Sequence, residues 1–167
     1  MTDISKFYIE KLNLQPHPEG GYFSEVYRSE EIIQEKFLAK RYNGERNFLT
    51  SIYFLLDGEQ TSKFHRLKSD EQWHFYDGCA VKIYILNEHE EIKIVTLGSE
   101  ISNGQTFQSV IKRNNWFAAE LTDKKSFCLV GCTVSPGFNF SDFELGNREE
   151  LISKFPHHKA IIEKFTT

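Results

Sequence analysis

The chain has 167 residues and a formal net charge of −4, with 40% apolar, 26% charged and 14% aromatic side chains. This is enough apolar chain to bury a core, which excludes wholesale disorder. No apolar run nears the roughly 18 residues of a membrane-spanning helix, and an acidic balance without a basic block argues against nonspecific nucleic-acid binding.

At the N-terminus Asp3 is a candidate cap for a helix in which Ile4, Phe7, Tyr8 and Leu12 share one stripe. Acids and lysines every few positions leave that segment without the apolar core of a signal peptide. Pro16 and Pro18 end the helix, Gly20-Gly21 turns the chain, and 22–28 reads as a strand. Residues 29–46 form one long polar connection, read as a flap or a dimer contact. Short strands follow at 48–56, 63–67, 71–76, 80–86, 91–97, 106–111, 116–121 and 127–133. Between them lie turn-like breaks such as Asp77-Gly78, Asn87-Glu88 and Asn103-Gly104. Strands spaced by roughly 8–12 residues with turns between them are the signature of a sandwich or barrel. Asn147 then caps a helix that Pro156 breaks, and a second short helix runs through His158 to Phe165. The expected organisation is one all-β domain over 1–167, with a barrel at about 21–145 and helical ends at about 3–13 and 147–165. The cysteines Cys79, Cys128 and Cys132 lack metal-knuckle spacing, and their odd number suits a reducing cytoplasm, the expected location.

Reactive side chains concentrate in Phe64-His65-Arg66, Ser69-Asp70-Glu71 and Trp73-His74-Phe75-Tyr76. Alternate residues of a strand share a face, so Glu71, Trp73 and Phe75 point one way and Gln72, His74 and Tyr76 the other. A carboxylate facing inward beside two large aromatics needs a cation, a metal or a proton, and His65 on the neighbouring strand is the candidate partner. The His65–Glu71 pair then reads as an acid/base or metal pair, or as a buried ionic contact that orders the barrel mouth. Two ligands are few for zinc or iron. His74 or Gln108 would have to supply a third, and strand parity points His74 away unless a bulge intervenes. Gln108 and Gln105 are candidates to hydrogen-bond a ligand or to satisfy the barrel rim. Trp73, Phe75, Trp116 and Phe117 either stack on a planar ligand or fill the core. Cys132 reads as a buried structural thiol. His65 oriented by Glu71 can serve as a base next to a carbonyl, with Tyr53 or Tyr84 as candidate opposing acids.

The spacing His65, Glu71, Gly78 resembles the first cupin motif, with Gly58 opening it and Leu67 where a second histidine is usual. The second motif is degenerate: Gly104 opens it, and Phe117 takes the histidine's place. The blocks His17-Pro-Glu-Gly-Gly-Tyr22, 50–56, 69–76, Gly104-Gln105 with Gln108, and 129–133 with Pro136-Gly-Phe138 resemble one uncharacterised cupin subfamily (Cupin_5-like, a domain of unknown function). The resemblance implies a double-stranded β-helix (cupin jelly roll), a homodimer, and a pocket in the barrel mouth; the His65–Glu71 pair among aromatics adds the expectation of a small, sugar-like ligand. It does not bring an established reaction. Three readings follow: a metal-independent sugar epimerase- or isomerase-like enzyme with no cofactor, a non-catalytic binding or sensing module, and a divalent-metal cupin with a reduced ligand set. No nucleic-acid or membrane partner is expected.

Overall fold

In the computed structural model, which describes residues 1–87, 89 and 91–167, strand follows strand from Gln15 to Leu145 between helical ends. The strands are β1 (Gln15–Pro16), β2 (Tyr22–Arg28), β3 (Ile32–Ile33), β4 (Arg46–Asn47), β5 (Thr50–Asp57), β6 (Thr61–Leu67), β7 (Asp70–Gly78), β8 (Val81–Leu86), β9 (Ile92–Leu97), β10 (Gln108–Ile111), β11 (Trp116–Leu121), β12 (Phe127–Ser135) and β13 (Phe143–Leu145). One sheet has the order β1-β2-β5-β12-β7-β10 and the facing sheet β13-β6-β11-β8-β9. Successive strands β5 to β8 alternate between the two, and every named strand pairing is antiparallel. This is the jelly-roll architecture expected from the strand spacing.

Alternation decides what fills the barrel. Phe54, Leu56, Trp73, Ile83, Ile85, Phe117, Ala119, Leu121, Val130 and Cys132 face inward and form one buried cluster. The outer face of the second sheet is apolar too. Phe64, Leu86, Trp116 and Ala118 are covered by Leu151, Phe155, Ile162 and Phe165 from α2 (Arg148–Lys154), α3 (Lys159–Lys164) and the residues between and after them. The side chain of Asn147 caps α2 by accepting from the Glu150 amide, as the sequence predicts.

The N-terminal helix, α1 (Asp3–Lys11), differs from expectation in its cap and its face. Thr2, not Asp3, is the N-cap, its hydroxyl accepting from the Ser5 amide at 3.0 Å. Ile4 and Phe7 are exposed, while Tyr8, Ile9 and Leu12 pack with Leu14, Leu55 and Leu129 on the outside of the first sheet. The helix ends before the prolines, at Asn13, whose φ of 52° is left-handed. The long connection 29–46 carries a strand of its own, because Ile32–Ile33 pairs with Arg46–Asn47. The Asn87-Glu88 break falls partly on Glu88, which lies outside the described residues. Among the described residues no helix is long and apolar enough to cross a membrane.

Candidate functional site

One end of the barrel is filled and the other is hollow. A cavity of about 310 Å³ opens between β2, β5, β12 and β7 on one side and β6 and β13 on the other. Its walls are Phe23, Ile52, Phe54, Trp73 and Val134. Phe138, Phe140 and Phe143 form a lip, and His17, Glu19, His65 and Glu71 supply polar groups. A register shift opposite β5, between Glu25 and Tyr27, leaves Val26 as an extra residue. It returns Arg28 to the inward face that already carries Phe23 and Glu25. There Arg28 is held by both Glu25 oxygens, at 2.6 and 3.0 Å, by Asn47 Oδ1 and by the Phe138 carbonyl.

The carboxyl group that meets His65 belongs to Glu19, not to Glu71. His65 Nε2 lies 3.1 Å from Glu19 Oε2, and His17 Nδ1 lies 3.3 Å from the same oxygen. Ser62 donates to Glu19 Oε1 at 2.8 Å, and the Lys63 amide donates to the Glu19 carbonyl at 2.8 Å. The protons can be placed. His65 Nδ1 is 2.8 Å from the Lys63 carbonyl, which can only accept, so Nδ1 carries a hydrogen. One further proton then lies between His65 Nε2 and Glu19 Oε2. Burial lowers His65 to about 3 and raises Glu19 well above the ordinary carboxyl value, helped by the nearby Glu71, so the proton rests on Glu19. His17 Nδ1 accepts from the Glu19 amide, and burial lowers this histidine to about 4. His17 is therefore neutral at pH 7, with its proton on Nε2.

Sequence reasoning assigns His17-Pro18-Glu19-Gly20-Gly21 to turn chemistry, and the turn is what delivers Glu19. Gly20 has φ +111°, and a Cβ there would sit 2.2 Å from the Thr61 carbonyl oxygen. The turn thus lies directly on β6, next to Ser62. The available signal was two titratable side chains, His17 and Glu19, inside a Pro/Gly turn. Gly20→Ala is expected to cost about 1–3 kcal/mol of stability through backbone strain alone. Urea unfolding measures it, and a loss under about 0.5 kcal/mol would mean that the turn is free to move off β6.

Strand parity in β7 is as expected: Glu71 and Trp73 face the cavity, 7% and 1% exposed. Burial raises the Glu71 carboxyl to about 7, while the side chains of Trp73 and Cys132 pull it the other way. Despite that proximity neither Glu71 Oε2 nor Trp73 Nε1 has a partner in hydrogen-bonding geometry among the described residues, although both atoms are buried. The Cys132 thiol is pushed far up by burial and is inert, as a structural thiol should be.

The other expected site residues lie elsewhere. Phe75 is half-buried and packs into the filled end of the barrel. Phe117 stands behind His65, ring centroids 3.9 Å apart, and does not line the cavity. Trp116 faces the C-terminal helices with the Arg66 guanidinium 4.5 Å from its ring. Gln108 pairs with His74 on the outer sheet face and accepts from Gln72 at 3.0 Å. His74 is near Thr133 on that face. Gln105 caps the Glu100 amide. Neither tyrosine can oppose His65: Tyr84 donates to Glu120 outside the barrel, and Tyr53 packs on Tyr76.

These placements also test the metal. His74 and Gln108 cannot join His65 and Glu71, Leu67 and Phe117 bring no donor, and both nitrogens of His65 are engaged by Lys63 and Glu19. Among the described residues no group of three His, Cys, Asp or Glu side chains is arranged to hold a metal ion. The donors expected from the sequence, His65, Glu71, His74 and Gln108, are therefore not brought together as a ligand set.

Residues 6–146 match the family described as Cupin superfamily (DUF985), Cupin_5. A solved protein from Shewanella oneidensis is 36% identical with a TM-score of 0.88, over 100% of this chain and 99% of that one. A hypothetical protein from Leishmania major is 31% identical with a TM-score of 0.88, over 97% and 98%. Oxalate decarboxylase from Bacillus subtilis, which has Mn(II) centres, is 13% identical with a TM-score of 0.53, over 92% of this chain and 38% of that one, and shares the fold alone. No curated protein matches the chain.

Proposed function

Because the chain belongs to the Cupin_5 family of the cupin superfamily, DUF985, we propose that it binds a small carbonyl compound in the barrel mouth and moves a proton on it, in the manner of an isomerase or epimerase. Glu71 is the base and later the acid. The observation that supports this reading is the Glu71 carboxyl itself, buried at the cavity with Oε2 unpartnered and its proton affinity raised to about 7. A general base works best when it titrates near the working pH. The proton leaves the carbon next to the carbonyl for the Glu71 carboxylate, and the electron pair moves onto the carbonyl oxygen as an enolate. Return of the proton, to the other face or to the adjacent carbon, completes the turnover. His65 is then not the base. With Glu19 it forms a neutral pair that stores one proton beside the cavity.

The test is a thermal-shift screen of small carbonyl compounds, followed by incubation of the binders in D₂O and proton NMR. Wild-type protein is expected to replace the hydrogen next to the carbonyl by deuterium. Glu71→Gln should still bind while exchange falls by about 10²–10⁴-fold, the usual share of a general base. Undiminished exchange in Glu71→Gln would overturn the assignment. Binders that wild-type protein does not exchange would make this a binding or sensing module instead.

A further inference from the structure

The chemistry of the cavity also bears on which carbonyl compound it takes, an inference that rests on the reading above. Three carboxyl side chains line it, Glu19, Glu25 and Glu71, against one guanidinium, Arg28. Four of that guanidinium's five N–H groups are engaged: Glu25 holds it with both oxygens, and Asn47 and the Phe138 carbonyl take two more. His17 and His65 are neutral. A carboxylate or phosphate entering here would have to displace Glu25 from Arg28 and would lie near Glu71, so an anion is disfavoured both by desolvation and by like charge. A sugar fares poorly for another reason. Phe23, Ile52, Phe54, Phe138, Phe140 and Phe143 make up most of the walls and lip, and His17, Glu19, His65 and Glu71 gather in one cluster, so hydroxyls spread around a ring would find partners on one side only.

Among the described residues one lining donor is both fully buried and unpaired: Trp73 is 1% exposed, and its Nε1–H has no acceptor in hydrogen-bonding geometry. An indole N–H can only donate, and a buried donor without an acceptor is destabilising. It lies close enough to Glu71 to lower that carboxyl's affinity for its proton. We infer that Trp73 Nε1–H holds the carbonyl oxygen of an uncharged ketone or aldehyde with an apolar body, placing the carbon next to that carbonyl beside Glu71. Trp73 is thus a specificity-determining residue, and the substrate class departs from the sugar-like ligand expected from the sequence.

Three probes with one skeleton separate the terms: 4-phenyl-2-butanone, the corresponding hydrocarbon butylbenzene, which has no acceptor, and the keto acid 2-oxo-4-phenylbutanoate. Isothermal titration at pH 7 should find the ketone bound, with the hydrocarbon and the keto acid each about tenfold or more weaker, the equivalent of one net hydrogen bond or one unpaired charge. Trp73→Phe keeps a ring in the core, and near-UV circular dichroism checks that it folds. It should lose about five- to tenfold in ketone affinity and leave the hydrocarbon's unchanged. Keto acid binding as tight as the ketone's, a ketone-to-hydrocarbon ratio that Trp73→Phe leaves intact, or no ketone binding at 1 mM would each overturn the inference. The two proposals fail separately. Ketone binding with the expected preferences but without deuterium exchange removes the proton-transfer reading alone. Exchange on the keto acid, with no preference for the ketone, removes this one alone.

Discussion

Asp142→Asn is expected to lower the free energy of unfolding by about 3–5 kcal/mol, the largest effect of any single polar substitution we anticipate. Arg46 and Asp142 are 3% and 5% exposed and form a two-pronged pair, Nε to Oδ2 at 2.6 Å and Nη2 to Oδ1 at 2.7 Å. The rest of the guanidinium is used as well. Nη1 donates to the carbonyls of Asn43, Gly44 and Glu45, and Nη2 to Ser141 Oγ. The hydrogen-bonded carboxylate of Asp142 raises the affinity of Arg46 for its proton, so the guanidinium stays charged. Removing one charge therefore leaves the other stranded, which is where the cost arises. Because Asp142 lies between Phe140 and Phe143, the pair also ties the 29–47 connection to the lip of the cavity. The expected change in urea unfolding is a lower midpoint with little change in slope. The double substitution Arg46→Met with Asp142→Leu should recover part of the loss, since it buries no unpaired charge. A loss below about 1 kcal/mol for Asp142→Asn would mean that water or Lys68, 3.5 Å from Asp142, compensates, as at an exposed pair.

That pair shows where the sequence stops being informative. Its members are 96 positions apart, and neither sits in a pattern that names the other. Local patterns did well. Alternation in 71–76 predicts the inward faces of Glu71 and Trp73, and Asn147 is legible as a cap. Failures came where a residue's face depends on a strand's neighbours. Every residue of β11 is buried, so nothing in Trp116-Phe117-Ala118-Ala119 says that Trp116 packs under the C-terminal helices and Phe117 behind His65. Gln108 is carried to the outer face by its register opposite His74, a pairing that spacing alone cannot set. Glu19 was missed because a five-residue turn reaches the site by crossing to β6, and a turn motif carries no address. The family resemblance drew attention to positions 65 and 71, yet it could not show that a different acid, Glu19, stands between His65 and His17.

Glu71→Gln, the substitution that should silence proton transfer, is expected to make the folded protein more stable at pH 8 by about 3–4 kcal/mol, at 1.36 kcal/mol per pH unit between 4.5 and about 7. Burial raises the folded-state value of Glu71 from 4.5 to about 7, so the native protein binds this proton more tightly than the unfolded chain. Below pH 4.5 both states are protonated and the group costs nothing. Between 4.5 and 7 the unfolded chain releases the proton while the folded protein retains it, and stability falls as pH rises. Above 7 the full penalty is present and constant. The facing groups do not alter the sign: Glu19 holds its proton and is neutral, Cys132 and Trp73 offset only part of the burial, and His17 and His65 are neutral. Glutamine keeps the shape and has no proton to lose, so the two proteins should match near pH 4 and diverge up to pH 7. Thermal unfolding from pH 4 to 8 measures the difference directly. Where activity falls and stability rises together, the side chain is placed for chemistry and not for folding. A variant that is less stable than wild type by the same amount at every pH would instead make Glu71 a structural acceptor for Trp73 and Cys132, and the case for acid/base work in this cavity would end.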